Sequence, residues 1–139
     1  MLDDSLYTIR TVRPTLAPLP RAVVEAVLLT EGSIGSAQHV ARQLGLPNRF
    51  KLARMLKRAG LPPLHRLAEW AMLESWIRAA EDDGESLCHQ AFRLHRHPSA
   101  CYRLVKELTG MRWGEVRARG LTWLRRRFER QLNLQQRRS

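Results

Sequence analysis

Apolar residues along this chain recur every three or four positions, the spacing of one helix face, and nowhere alternate as they do along a half-buried strand. From Pro20 the stripe is Val23, Val24, Val27 and Leu28, and Glu31-Gly32-Ser33 ends it. Ser36 fits a helix N-cap, and Ala37, Val40, Ala41 and Leu44 fill one face of the short helix that follows. Gly45 marks a turn that calls for a positive φ. Asn48 caps the next helix, whose inner stripe is Leu52, Met55, Leu56 and Ala59, and Gly60 with Pro62-Pro63 closes it. A longer helix then runs to Ala80 through Leu64, Leu67, Ala68, Trp70, Ala71, Met72, Trp76 and Ile77, until Glu81-Asp82-Asp83-Gly84 breaks it. About 18 residues would make it roughly 27 Å long. Ser86 caps a further helix with Leu87, Ala91 and Leu94 inside. His95-Arg96-His97 turns the chain, and Pro98-Ser99 opens a helix with stripe Cys101, Leu104, Val105 and Leu108. From Trp113 a last helix, interrupted at Gly120, carries Val116, Leu121, Leu124, Phe128 and Leu132. The expectation is an all-α chain.

Part of this pattern occurs twice. Ser36, His39, Ala41 and Leu44 recur as Ser86, His89, Ala91 and Leu94, an offset of 50 residues. Leu52-Ala53-Arg54-Met55-Leu56-Lys57 recurs as Cys101-Tyr102-Arg103-Leu104-Val105-Lys106, an offset of 49, and Gly60 and Gly110 end the two copies. A repeated helix pair of this length predicts two helix–turn–helix units. In such a unit the first helix holds the second, whose outer face stays free to enter a major groove. Taking away the apolar stripe leaves Arg49, Phe50, Ala53, Arg54 and Lys57 outside in the first copy, and Ser99, Ala100, Tyr102, Arg103 and Lys106 in the second. Arg54 and Arg103 hold the same place in the two units, and arginine pairs bidentately with guanine at about 1–3 kcal/mol of discrimination. Lys57 and Lys106, nearer the helix C-termini, suit phosphates, which add affinity without specificity. Ser36, Asn48, Arg96 and His97 join them as expected phosphate contacts. The long helix between the copies sets their separation, and heads about 34 Å apart meet successive major grooves on one side of a duplex.

Charge agrees with that partner. The chain has 139 residues, 44% of them hydrophobic, which is enough for a modest core. Its 24 Lys and Arg against 13 Asp and Glu leave a net charge of +11, suited to a polyanion. No run approaches the ~18 apolar residues of a spanning helix, so no membrane role is expected. Residues 1–10 carry two aspartates and lack the basic and apolar regions of an export signal. Two cysteines, Cys88 and Cys101, make no disulfide framework, and the setting expected is a reducing cytoplasm. Cys88, His89, His95, His97 and Cys101 are of zinc-ligand type, but their spacings match no common structural site and Cys101 lies on a buried stripe, so neither a metal nor another cofactor is expected. The acidic residues gather near the start and at 81–85, away from any nucleophile and base, so the chain does not read as an enzyme. Trp70 and Trp76 read as core residues. Arg125, Arg126, Arg127, Arg130, Arg137 and Arg138 make the C-terminal helix a further candidate for phosphate contact, with packing of its apolar side as the simpler expectation.

Ala41-Arg42-Gln43-Leu44-Gly45-Leu46, Leu52 to Arg58, Pro98 to Lys106 and Thr109-Gly110-Met111 resemble the DNA-binding domain of the AraC family of bacterial transcription regulators. Gly110-Met111-Arg112-Trp113-Gly114-Glu115-Val116-Arg117 is similar to the closing motif of that family, with Trp113 where proline is usual. The resemblance runs from Pro20 to Arg117. It implies about seven helices, two helix–turn–helix units joined by a linker helix, a nucleoid-associated regulator, and contact with RNA polymerase or another regulator. Position by position, it implies base contacts at Arg49, Phe50, Ala53, Arg54, Ser99, Ala100, Tyr102 and Arg103. Two departures stand out: the first unit has one extra residue before its reading helix, and the second has His95 where the turn glycine belongs. The 19 residues before Pro20 are too few for the ligand-sensing domain most such regulators carry. The organisation expected is therefore a lead-in (1–19), a first unit (20–60), a linker helix (61–82), a second unit (83–118) and a basic helical extension (119–139). The function expected is a sequence-specific regulator that binds double-stranded DNA as a monomer. A helix–turn–helix protein-interaction module and a non-specific architectural DNA binder stand as alternatives.

Overall fold

The computed structural model describes Ile9 and residues 11–138, with side chains as far as residue 133. Residues 1–8 and 10, on which the reading of the export signal rests, and the side chains of Arg137 and Arg138 lie outside that description. Seven helices are described and no strand occurs among the described residues: α1 Pro18–Leu29, α2 Ala37–Gln43, α3 Arg49–Arg58, α4 Leu64–Asp83, α5 Leu87–Arg93, α6 Pro98–Thr109 and α7 Trp113–Arg138. No described helix is long and apolar enough to cross a membrane.

Helix α4 is the axis of the molecule. Ten of its twenty residues are buried, including Leu67, Trp70, Leu73, Trp76 and Ile77. They lie all round the helix, as expected of one enclosed by others. Helices α1, α5, α6 and α7 all pack against it. At twenty residues it is about 30 Å long. It also runs past the expected break, because Glu81, Asp82 and Asp83 stay helical and Gly84, at φ 67, makes the stop. Glutamate is an adequate helix former, and the Glu81 carboxylate has a use: its Oε1 accepts the backbone N–H of Leu121 at 3.0 Å.

That contact accounts for the interruption of α7. Gly120 sits at φ 89, ψ 174, so the helix breaks there and restarts at Leu121, where Glu81 caps the new first turn. The restarted segment returns along α4. Arg125 Nε donates to the buried Glu74 carboxylate at 2.6 Å, and Arg78 lies 3.8 Å from the same oxygen. Phe128 stacks on Trp70 with ring centroids 5.9 Å apart, and Leu124 and Leu132 are buried beside them. The apolar side of the C-terminal helix is therefore core, as the packing expectation has it.

The other end of this segment is held from the beginning of the chain. Arg13, only 8% exposed, donates through its guanidinium to the Ala59 carbonyl, to the Leu132 carbonyl at 2.8 Å and to the Gly60 carbonyl at 3.5 Å. One cation thus satisfies carbonyls where α3 ends and at a point well along α7, with burial lowering its pKa from the ordinary arginine value. Ile9 and Leu16 are buried with it. One continuous hydrophobic cluster takes in residues of both repeats, of α4 and of α7. The two units are braced on a common core.

Candidate nucleic-acid interface

The two repeats fold alike down to their caps. Ser36 Oγ accepts the His39 N–H at 3.1 Å, and Ser86 Oγ accepts the His89 N–H at 3.1 Å. Helices α2 and α5 are each seven residues long. Their turns close with matched hydrogen bonds, Leu46 N–H to Ala41 O and Arg96 N–H to Ala91 O. Gly45 at φ 74 is matched by His95 at φ 55, so the second copy puts a side chain where the backbone is left-handed. Such a conformation costs a non-glycine residue about 1 kcal/mol. His95→Gly is expected to raise stability by about 0.5–1 kcal/mol, read as a higher urea midpoint at unchanged slope. A fall in the midpoint would mean that the imidazole makes a compensating contact.

The turns differ by one residue, the departure noted in the sequence. Five residues separate α2 from α3 and four separate α5 from α6. Asn48 caps α3, its Oδ1 accepting the N–H groups of Phe50 and Lys51 at 3.0 Å each. His97 caps α6 instead: Nδ1 accepts the Ser99 N–H at 3.2 Å and lies 2.7 Å from Ser99 Oγ. With Nδ1 accepting, Nε2 is the nitrogen left to donate outward. One expectation needs correction. Leu94, expected on the inner face of α5, is 43% exposed. It is the C-cap residue of that helix, past the last turn that faces the core.

On α3 the buried side chains are Leu52 and Leu56, and Arg49, Phe50, Ala53, Arg54 and Lys57 are all exposed. On α6 Cys101, Val105 and Leu108 are buried, while Ser99, Ala100, Tyr102, Arg103 and Lys106 are exposed. Phe50 is 60% and Tyr102 41% exposed, so neither ring is consumed by packing. The Arg49 guanidinium lies over the Phe50 ring, 5.1 Å from its centroid. Of the expected phosphate contacts, Ser36, Arg96, His97, Lys57 and Lys106 are exposed and Asn48 is half-buried. In their caps Ser36 and Asn48 use only acceptor oxygens, so the hydroxyl and amide hydrogens remain to donate. Burial pushes the Cys101 thiol up, so it stays a neutral packing group. No cluster of potential metal ligands occurs among the described residues.

Two features escaped the residue-by-residue reading. Lys51 and Arg58 lie with Arg54 along a cleft between α3 and the start of α1, which makes α3 the more cationic head. It has Arg49, Lys51, Arg54, Lys57 and Arg58 and no acid, whereas α6 has Arg103 and Lys106 against Glu107. Their signal was plain composition along one helix, hidden by comparing only repeated positions. Gln90, buried where the first copy has Val40, donates to the Trp76 carbonyl at 3.1 Å and the Glu85 carbonyl at 3.3 Å, tying the second unit to α4. No family model, no curated protein and no solved structure matches this chain.

Proposed function

We propose that this chain is a sequence-specific double-stranded-DNA-binding regulator of transcription, of the kind the AraC resemblance implies, and that it works as a monomer with two reading helices, α3 and α6. The observation that carries the reading is the equivalence of two exposed helix faces. Arg54 and Arg103 stand at the same position of units whose supporting helices share the same serine cap, both exposed, and no carboxylate among the described residues pairs with either. Arginines left unpaired on the free face of a helix–turn–helix suit guanine edges, with exposed Tyr102 and Phe50 beside them for apolar contact with thymine methyls. The net charge of +11 supplies the non-specific attraction that brings such a protein to a duplex.

The brace formed by α7 supports the same reading. Two heads on one duplex gain most from linkage when their separation is fixed at the right span, and a common core fixes it. A non-specific architectural binder would need charge but not paired, equivalent reading faces. In this reading Arg54→Ala and Arg103→Ala each lower affinity for a preferred duplex by about 1–3 kcal/mol and relax specificity at separate base positions. Lys57→Ala weakens binding to all sequences alike and reduces the salt slope by about one. Competition binding checks both: the preferred duplex should hold the protein against excess unrelated DNA at physiological salt. Equal displacement by every sequence would overturn the regulator reading in favour of the architectural one.

A further inference from the structure

A groove of about 700 Å³ opens beside the reading face of α3, between that helix, the start of α2 and the start of α4. Its volume falls in the range that encloses small molecules, about 300–1,000 Å³. Leu52, Leu56, Leu61 and Leu64 form the floor, and the exposed Phe50 ring stands at the side. The charged side chains that line it, Arg49 and Lys57, are both basic, and His65 adds an imidazole. Arg49 is held at the edge by its own packing over Phe50. An apolar floor under a cationic rim is complementary to a molecule with a compact apolar body and one anionic end. Phosphates are polar and do not match such an apolar lining.

From this we infer that the groove is a binding site for a small amphipathic carboxylate, an aromatic or branched aliphatic acid, whose body rests on the leucines while its carboxylate meets Arg49, Lys57 and His65. The rim residues Arg49, Phe50 and Lys57 are also candidate DNA contacts, so the bound acid and the duplex compete. The competition rests on the proposed function; the site itself does not. The acid is thus a signal that lowers DNA occupancy by acting on the very helix that reads.

The test uses the full chain and two probes of the same shape, 1-naphthoate and the neutral 1-naphthamide, each titrated without DNA and followed by amide NMR and calorimetry. Naphthoate is expected to bind saturably, to shift the amides of Ala37, Ala53, Leu61 and His65, and to bind about tenfold more tightly than naphthamide, the difference one charge-assisted contact makes. Arg49→Gln should weaken naphthoate more than naphthamide and so remove most of that preference. Ala37→Leu, which fills the groove from α2, should weaken both probes. Absence of saturable binding, equal affinities for the two probes, or shifts centred elsewhere would overturn the site. With DNA present, naphthoate should raise the apparent Kd of a preferred duplex in proportion to its concentration, without reaching a plateau. Simultaneous binding of both would overturn the competition, and naphthoate binding by a chain that holds no duplex would sink the DNA reading while the site stands.

Discussion

Replacing Arg13 with alanine is expected to destabilise the chain by about 3 kcal/mol, a fall of roughly 10 °C in Tm for a domain of this size. The figure follows from what the side chain holds. Its guanidinium donates to the carbonyls of Ala59 and Leu132 and more distantly to that of Gly60, in a place that is nearly closed to water. Alanine leaves those acceptors without their partner and opens a cavity where the stem ran. Lysine at the same position has one ammonium in place of a planar fork, so it cannot reach two separated helices at once and should recover less than half of the loss. Thermal melts of the two variants check this. A change below about 1 kcal/mol for the alanine variant would mean that solvent replaces the guanidinium, and that the join between the start of the chain, α3 and α7 is looser than described.

Phe128→Ala should cost about 3–5 kcal/mol, the usual range for emptying a buried aromatic site. Phe128 stacks on Trp70 midway along the contact between α7 and α4, flanked by the Arg125–Glu74 pair on one side and by Leu132 on the other. Arg126→Ala on the exposed side of the same helix should change stability by less than about 0.5 kcal/mol. Beyond stability, the variant separates two ideas about α7. If the helix braces α4, loosening it lowers the effective concentration of one head for its half-site once the other is bound. Affinity for a bipartite duplex would then fall further than affinity for a single half-site, at a temperature where the variant is fully folded. Equal falls would make α7 a stabilising element only.

Most of the helical architecture was legible in the residues because it rests on short-range signals. Ser36 and Ser86 announce their helices through caps, Gly45, Gly60 and Gly110 announce the turns, and the stripes on α3 and α6 separate inner from outer faces. The exposed positions of Arg54, Arg103, Phe50 and Tyr102 follow directly from those stripes. What binds the molecule together was not legible. Arg13 and Leu132 are 119 residues apart in sequence, Arg125 and Glu74 are 51 apart, and Leu121 and Glu81 are 40 apart. A polar contact at such separation leaves no periodic trace, and each side chain by itself passes for surface charge. The lead-in hid its role for the same reason, since Ile9, Arg13 and Leu16 form no long stripe yet are all buried. Leu94 misled in the opposite direction, because repetition of Leu44 suggested an inner residue where the second helix has already ended.

The asymmetry between the heads follows from the same comparison. With five cations on α3 and no acid, the first unit would, in the proposed function, carry most of the phosphate attraction, while the second, with its small Ser99 and Ala100, would suit close approach. The left-handed His95 and the cap made by His97 place imidazoles in the turn before α6, where the first unit has Gly45 and Asn48. If α3 and α6 read DNA as proposed, these differences make the two half-sites unequal in sequence, and the preferred duplex should not be palindromic.

Selection of random duplexes by the full chain, followed by footprinting of the enriched pool, tests the central claim most directly. Two unequal blocks of preferred sequence should emerge on one face of the duplex with centres about 10 base pairs apart, and selection with Arg103→Ala should erase one block and keep the other. A single block, or enrichment of no sequence at all, would contradict the claim that α3 and α6 read DNA as a rigid pair.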